Sequence, residues 1–231
     1  MIFETKRHAR TASSIEQAMR ELSRADPALA ALIRRVGPCE LGMRRRGRYF
    51  PALVEAIIHQ QLTAKAAGTI LARFRSLYAS GSPRPEGRPG GRFPTPAQVA
   101  GTSAQALRTA GLSSQKISYL HDLAARLQDG SFPLRRISTM DDEEVIRRLT
   151  GIKGIGRWTA EMFLIFTLGR PDVFPATDLG IRKAVQRLYG HAALLPPREL
   201  AALAERWTPH RSVAAWYLWA SVDGKKADPE E

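Results

Sequence analysis

The sequence contains a single cysteine, Cys39, among 231 residues. One cysteine forms no intrachain disulfide and cannot supply a four-cysteine iron–sulfur cluster or a cysteine zinc site. The five histidines are scattered, and no two have the spacing of metal ligands on one helix face. We therefore expect no iron–sulfur cluster, no cofactor for the chemistry and a reducing, cytoplasmic setting.

Long apolar runs are also missing from the sequence. The longest nearly apolar run, 162–168, is far shorter than the ~20 residues that a membrane-spanning helix needs. The basic residues within 1–11 are followed by no apolar segment, so we expect no secretory signal and no membrane partner. A mean hydropathy of −0.25 and 25% charged residues are typical of a globular protein in water.

Alternating apolar and polar runs with hairpin turns are missing too, which disfavours a sheet. Apolar residues instead recur every three or four positions, so we predict an all-α protein of about a dozen helices. The clearest patterns cover 67–78 and 181–188, and weaker ones cover 14–24, 27–36, 51–59, 103–109, 114–128, 141–149, 157–168, 197–206 and 211–222.

Acidic residues are far fewer than basic ones. The 35 basic and 22 acidic residues give a net charge of +13. An excess of this size on a folded domain favours a polyanionic partner, most often nucleic acid. An arginine-rich cluster within 34–48 is a candidate contact for such a partner, or simply a solvated face. Five prolines and four glycines within 80–96 predict a flexible loop, and the polar tail 223–231 is expected to fray.

The most informative segment is 149–160, LTGIKGIGRWTA. It follows a predicted helix that Asp141 caps, with Glu144 placed as in a capping box, and it precedes an apolar helix that we expect to be buried. Glycines 151, 154 and 156 permit a tight turn whose amides point at the N-terminus of the next helix. Backbone amides at a helix N-terminus bind anions, although the same turn could simply connect two helices.

This segment resembles the helix-hairpin-helix motif of DNA-binding proteins. The resemblance implies that amides near Gly154 and Gly156 bind a DNA phosphate, with Lys153 and Thr159 as further phosphate contacts. It also implies that a monovalent cation, Na⁺ or K⁺, is held by main-chain carbonyls, those of Thr150, Ile152 and Ile155.

Asp178 begins the next predicted helix, after a turn that contains Pro175. An aspartate at this position is ordinarily an N-cap, and capping is compatible with a second role. Amides at the helix start also favour the charged carboxylate.

Taken together, the hairpin, the apolar helix, the proline turn and Asp178 resemble the helix-hairpin-helix glycosylase superfamily. Segments 55–67 and 207–219 are similar to the bacterial and yeast 3-methyladenine DNA glycosylase II family, and the resemblance covers about 50–222. It implies a catalytic role for Asp178 and a DNA glycosylase that excises alkylated purines of the 3-methyladenine and 7-methylguanine type in base excision repair. The expected partner is double-stranded DNA that contains alkylated bases, bound by a monomer.

The same resemblance implies one glycosylase unit over 1–231, built from two helical subdomains that flank a DNA-binding cleft. We expect residues 1–49 and 171–231 to form one subdomain, and residues 50–170, with the hairpin at 149–160, to form the other.

A DNA glycosylase rotates the target base out of the DNA double helix, so a side chain of the enzyme must act as a wedge that fills the gap left in the base stack. Gln60, Gln61 and Leu62 interrupt two helical patterns. The family resemblance implies that Gln61 is the wedge and that Gln60 lines the base pocket. Two glutamines that simply face solvent at a helix junction are the alternative.

Trp158 is the candidate wall of the base pocket, because an aromatic face attracts a cationic base. A tryptophan packed in the core is the alternative. Related enzymes that also cut the strand have a lysine at this position, so Trp158 implies base release without lyase activity. The resemblance places His210 in the base pocket, where some members have a larger aromatic. Trp207, Trp216 and Trp219 are predicted to be core residues.

Two other functions are the alternatives. One is a non-catalytic DNA-binding module that uses the hairpin alone. The other is a glycosylase for a different lesion, such as a glycosylase/lyase for oxidised or mismatched bases, which Trp158 and the missing cysteine cluster disfavour. The sequence does not rank methylated purines against methylated pyrimidines and etheno adducts.

Overall fold

The computed structural model describes the backbone of residues 2–42, 48–79 and 93–222, with side chains from residue 14 onward. Most of the predicted loop, the tail 223–231 and residues 43–47 of the arginine cluster lie outside the described residues. The described part contains no strand, which confirms the all-α prediction. It also contains no helix that is long and apolar enough to cross a membrane.

Twelve α-helices make up most of the described chain, with a 3₁₀ helix at Leu134–Thr139, a π-helical turn at Leu164–Leu168 and a 3₁₀ turn at Glu205–Trp207. The helices are α1 (Ile2–Ala25), α2 (Pro27–Val36), α3 (Tyr49–His59), α4 (Ala64–Ser76), α5 (Pro96–Gly101), α6 (Ala104–Thr109), α7 (Ser114–Gln128), α8 (Asp142–Thr150), α9 (Arg157–Phe163), α10 (Leu179–Tyr189), α11 (Pro197–Ala204) and α12 (Arg211–Val222).

The chain divides into two compact units. The terminal unit comprises Met1–Met43 and Leu164–Glu231, and the central unit comprises Arg44–Phe163. The boundaries lie six and seven residues before the predicted ones at 50 and 171, and the second falls between α9 and its π-helical turn. The hairpin therefore belongs to the central unit, and Asp178 belongs to the terminal unit.

The core of the terminal unit is formed by apolar faces of α1, α2, α10, α11 and α12. Leu22, Leu29, Ile181, Trp207 and Tyr217 are almost fully buried, and each such side chain stabilises the fold by roughly 1.5–3 kcal/mol. Trp207 is thus a core residue, as predicted.

The central unit is organised around α7, which packs against α3, α5 and α6. Its buried side chains include Leu53, Ile57, Phe74, Leu120 and Leu149. Helix α8 packs against α9, and α3 contacts both α7 and α9. This arrangement brings the end of α3, the side of α7 and the hairpin next to one another.

Candidate DNA-binding and catalytic site

The segment 149–160 forms the predicted helix-hairpin-helix. Asp141 caps α8 by accepting a 2.8 Å hydrogen bond from the amide of Glu144. The side chain of Glu144 does not complete a capping box, because it pairs with Arg147 and Arg148 on the following turn. Between α8 and α9, the Ile155 amide donates to the Ile152 carbonyl at 3.1 Å, and both isoleucine side chains are buried.

Gly154 occupies a position that only glycine fits. Its φ of 78° lies in the left-handed region, and a β-carbon there would come within 2.1 Å of the Tyr119 ring. A β-carbon on Gly156, by contrast, would meet nothing within 4 Å, so the protein leaves open space around that residue. The hairpin thus has a packed glycine at its turn and an open one at the start of α9.

The other predicted phosphate contacts differ in their exposure. Lys153 is exposed, and its amide donates a 2.9 Å hydrogen bond to Asp122 Oδ2. The contact of its side chain with a phosphate stays a prediction. Thr159 is only 8% exposed, and its contact with a phosphate stays a prediction. Its amide lies in the first turn of α9, where N–H groups have no partner within the helix.

The proposed cation ligands are all main-chain oxygens at the hairpin. The Ile152 carbonyl accepts one hydrogen bond, from Ile155, and a carbonyl oxygen has a second lone pair. The Thr150 hydroxyl donates to the Ile146 carbonyl at 2.9 Å and so is directed back along α8. A set of neutral carbonyl oxygens suits Na⁺ or K⁺. The donor chemistry fits, and the ion stays a prediction.

The predicted break at 60–62 is confirmed. Helix α3 ends at His59, and α4 begins at Ala64 with Thr63 as its N-cap. We call residues 60–63 the wedge turn. Gln61 has a φ of 56° and is the only non-glycine with positive φ in the described part of the chain. Its side chain and that of Leu62 are exposed, and a left-handed glutamine is a strained conformation of the kind found at functional sites.

Gln60 connects the wedge turn to the hairpin. Its Nε2 donates a 2.8 Å hydrogen bond to the carbonyl of Gly154. The side-chain nitrogen therefore holds two parts of the central unit together, a contact across 94 residues that helical spacing could not reveal. The pocket-lining role of Gln60 stays a prediction.

Trp158 is 46% exposed in the first turn of α9, so the alternative that it is a core tryptophan is wrong. The burial predicted for this helix begins one residue later, at Thr159. The preceding Arg157 forms ion pairs with Glu143 at 2.6 Å and Glu161 at 3.0 Å. The pair with Glu143 connects the first turn of α9 to α8, and the pair with Glu161 lies within α9.

Asp178 is the N-cap of α10, as predicted, and it is partly exposed. Its Oδ1 accepts a 2.9 Å hydrogen bond from the Ile181 amide and a 3.0 Å hydrogen bond from Trp219 Nε1. A β-carbon on Gly180 would lie 3.1 Å from the same oxygen. Two donors and a close-fitting glycine thus set the orientation of the carboxylate.

Trp219 is the residue of the candidate site that the sequence analysis misses. It was predicted to be a core residue, yet it is only partly buried, and its indole N–H is directed at Asp178. Its ring also lies 5.7 Å from that of Phe166. Helical spacing marks Trp219 as apolar but does not indicate that its polar atom reaches a carboxylate 41 positions away.

His210 lies just before α12, and its ring forms a hydrogen bond with a side chain of α1. Its Nε2 is 2.7 Å from Glu21 Oε2 on α1, and the side chain is 16% exposed. Hydrogen bonds from Gln17 and then from His210 lower the pKa of Glu21. The hydrogen bond with Glu21 fixes the orientation of the His210 ring. The place of His210 in the base pocket stays a prediction.

Comparison with known proteins identifies the class to which this architecture belongs. The model of the HhH-GPD superfamily of base excision DNA repair proteins matches residues 54–210. The chain belongs to this superfamily.

Individual relatives have names that are more specific than that of the superfamily. A DNA-3-methyladenine glycosylase 1 of Schizosaccharomyces pombe is 38% identical over 171 residues, which cover 74% of this chain and 71% of that protein. An alkylbase DNA glycosidase-like protein of the same yeast is 31% identical over 90% of this chain and 93% of its own length. A solved structure of an S. pombe 3-methyladenine DNA glycosylase in complex with abasic DNA is 34% identical with a TM-score of 0.78, over 92% of this chain and all of that one.

Proposed function

We propose that this protein is a monofunctional DNA glycosylase that removes alkylated purines, of the 3-methyladenine and 7-methylguanine type, from double-stranded DNA. The observation that carries the proposal is the partly exposed Asp178 carboxylate, which two N–H donors orient through one oxygen. Helix capping alone accounts for the hydrogen bond from the Ile181 amide but not for the one from Trp219 Nε1. The names of the relatives support alkylated bases as the substrate.

The chemistry follows from the charge of the substrate. A purine alkylated on a ring nitrogen is cationic, so the glycosidic bond breaks with its electron pair going to the base, which leaves neutral. The sugar acquires oxocarbenium character, and the negative charge of Asp178 stabilises it. Water then adds to the anomeric carbon and loses a proton to solvent. The products are the free base and an abasic site.

The DNA is held through its backbone and through the displaced base. Amides near Gly154 and Gly156 and the Lys153 side chain bind a phosphate, with Na⁺ or K⁺ on the hairpin carbonyls. Gln61 fills the gap that the everted nucleotide leaves, and the exposed face of Trp158 holds the cationic base by a cation–π contact of roughly 0.5–2 kcal/mol. Because phosphate contacts release counterions, affinity falls steeply as salt is raised.

The absence of lyase activity follows from the residue at 158. A Schiff base requires a nucleophilic amine, and an indole has none. Lys153 has an amine, but we assign it to phosphate binding because it lies exposed in the hairpin. We infer that the protein acts as a monomer in the cytoplasm, at the nucleoid if the source is bacterial.

The experiment is an analysis of the products released from duplexes that each contain one lesion: 3-methyladenine, 7-methylguanine, a methylated pyrimidine or an etheno adduct. We expect free methylpurines, and no covalent complex after borohydride treatment. Release of another base would make the protein a glycosylase for a different lesion, and a trapped covalent complex would indicate a glycosylase that is also a lyase. Tight binding without release of any base would indicate the non-catalytic DNA-binding module.

A further inference from the structure

Lys116 makes a contact that the proposed mechanism does not use. It lies in the first turn of α7, and its Nζ donates hydrogen bonds to the carbonyls of Ile58, at 2.7 Å, and Gln60, at 2.8 Å. Ile58 lies in the last turn of α3, and Gln60 is the first residue of the wedge turn. Partial burial lowers the pKa of Lys116, as expected of an ammonium group that has exchanged water for protein carbonyls.

These carbonyls need a donor because α3 stops where it does. If α3 continued, the Leu62 amide would bond to the carbonyl of Ile58, four residues earlier. It bonds instead to the carbonyl of His59, at 3.3 Å. The Lys116 ammonium replaces the missing amide, and it also holds the Gln60 carbonyl immediately before the left-handed Gln61.

The same side of α7 supports the hairpin. Tyr119, one turn after Lys116, packs against Gly154, and Asp122, almost one turn further, accepts the hydrogen bond from the Lys153 amide. Gln60 connects the wedge turn directly to the hairpin through its hydrogen bond to the Gly154 carbonyl. Three positions on one helix therefore support both the wedge turn and the hairpin.

We propose that Lys116 is a positioning residue that holds the wedge turn in the left-handed conformation from which Gln61 enters the DNA. The inference rests on the proposed function, because it requires that Gln61 act as the wedge. The proposal assigns Lys116 to the conformation of the wedge, so we expect its effect on duplex substrate, in which a base must be unstacked before it is released.

The test compares Lys116→Met, Gln61→Ala and the double variant with wild type. The readout is the single-turnover release of 7-methylguanine from duplex and from single-stranded DNA. We expect Lys116→Met to slow release from the duplex about tenfold, because a misplaced wedge makes eversion less favourable. Release from single strands should stay within about twofold of wild type, and the double variant should be no slower than Gln61→Ala.

Two controls distinguish a positioning role of Lys116 from a general effect of lost charge or lost folding. Arg136→Met removes one positive charge from an exposed site in the same unit and should leave both rates within about twofold. Thermal unfolding reports whether Lys116→Met is folded. If it is not, Lys116→Arg, which retains donors at this site, replaces it and should lie between Lys116→Met and wild type.

Equal loss on duplex and single-stranded DNA, or multiplied losses in the double variant, would overturn the proposal. So would an unchanged rate on the duplex. Fluorescence of 2-aminopurine beside the lesion measures unstacking without bond cleavage and is recorded for every variant. If wild type releases no base, the proposed glycosylase activity fails. The role of Lys116 is then decided by this signal, which Lys116→Met should diminish.

Discussion

Trp219 Nε1 donates a 3.0 Å hydrogen bond to Oδ1 of Asp178, the same oxygen that caps α10. The indole belongs to α12, so the orientation of the carboxylate depends on the packing of α12 against α10. This contact connects the core of the terminal unit to the group that we assign to the chemistry.

The first prediction concerns a substitution of Trp219 that removes this hydrogen bond and keeps an aromatic ring. Trp219→Phe retains an aromatic beside Phe166 but loses the N–H, so Oδ1 of Asp178 loses one of the two donors that orient it. We expect the single-turnover rate of base release to fall about tenfold, because hydrogen bonds to charged groups are the stronger ones. Trp216→Phe, the same change one turn earlier on α12, is the matched control and should retain the rate. Equal rates for the two variants would show that Trp219 does not position the acid.

The second prediction concerns the two hairpin glycines. Gly154→Ala forces a β-carbon against Tyr119 in a left-handed backbone, and we expect it to lower the free energy of unfolding by about 3 kcal/mol or more. Gly156→Ala meets no protein atom within 4 Å, so it should keep the stability of wild type. It should nevertheless weaken DNA binding, because its methyl group occupies the surface that a phosphate approaches. Urea unfolding and DNA titration measure the two effects, and the reverse pattern would contradict the assigned geometry.

The third prediction is a pH dependence of stability from Asp26, which is 2% exposed. Burial opposes its charge, but hydrogen bonds from Tyr189 at 2.5 Å, from the Leu29 amide and from Trp207 at 3.0 Å outweigh burial and lower its pKa. A carboxylate whose pKa is lowered on folding stabilises the protein above its unfolded-state value, near pH 4, and this stabilisation is lost as the pH falls through the lower folded-state value.

Asp26→Asn should therefore be less stable than wild type by about 2 kcal/mol at neutral pH, and the difference should shrink steadily below about pH 4. Urea unfolding across this range measures it. Glu199→Gln, an exposed change on α11, should show almost no difference at any pH. A difference between Asp26→Asn and wild type that is constant with pH would mean that the charge of Asp26 is not what stabilises the fold.

Local signals explain why much of the fold and part of the site could be predicted. The caps at Asp141 and Asp178, the glycine turn at 154 and the break after His59 are each encoded within a few adjacent residues. Helix α5 was not predicted, because its six residues directly follow a proline-rich segment and are too few for apolar spacing to show.

The unpredicted parts of the site depend on contacts between distant residues. Trp219 with Asp178, Lys116 with Gln60 and Glu21 with His210 are separated by 41, 56 and 189 positions. Apolar spacing indicates which helix face is buried but not which polar atom meets which partner. The left-handed backbone of Gln61 was also beyond prediction, since glutamine has no preference for that conformation and the hydrogen bonds of Lys116 define its surroundings.

The most direct test of the catalytic assignment is Asp178→Asn on a duplex with one 7-methylguanine, with DNA affinity and single-turnover base release measured on the same preparation. Asparagine retains an oxygen for the Ile181 amide and Trp219 but carries no charge. We predict unchanged affinity and a rate at least about 100-fold below wild type. A rate close to that of wild type, with binding intact, would contradict the assignment of Asp178 as the group that stabilises the cationic sugar.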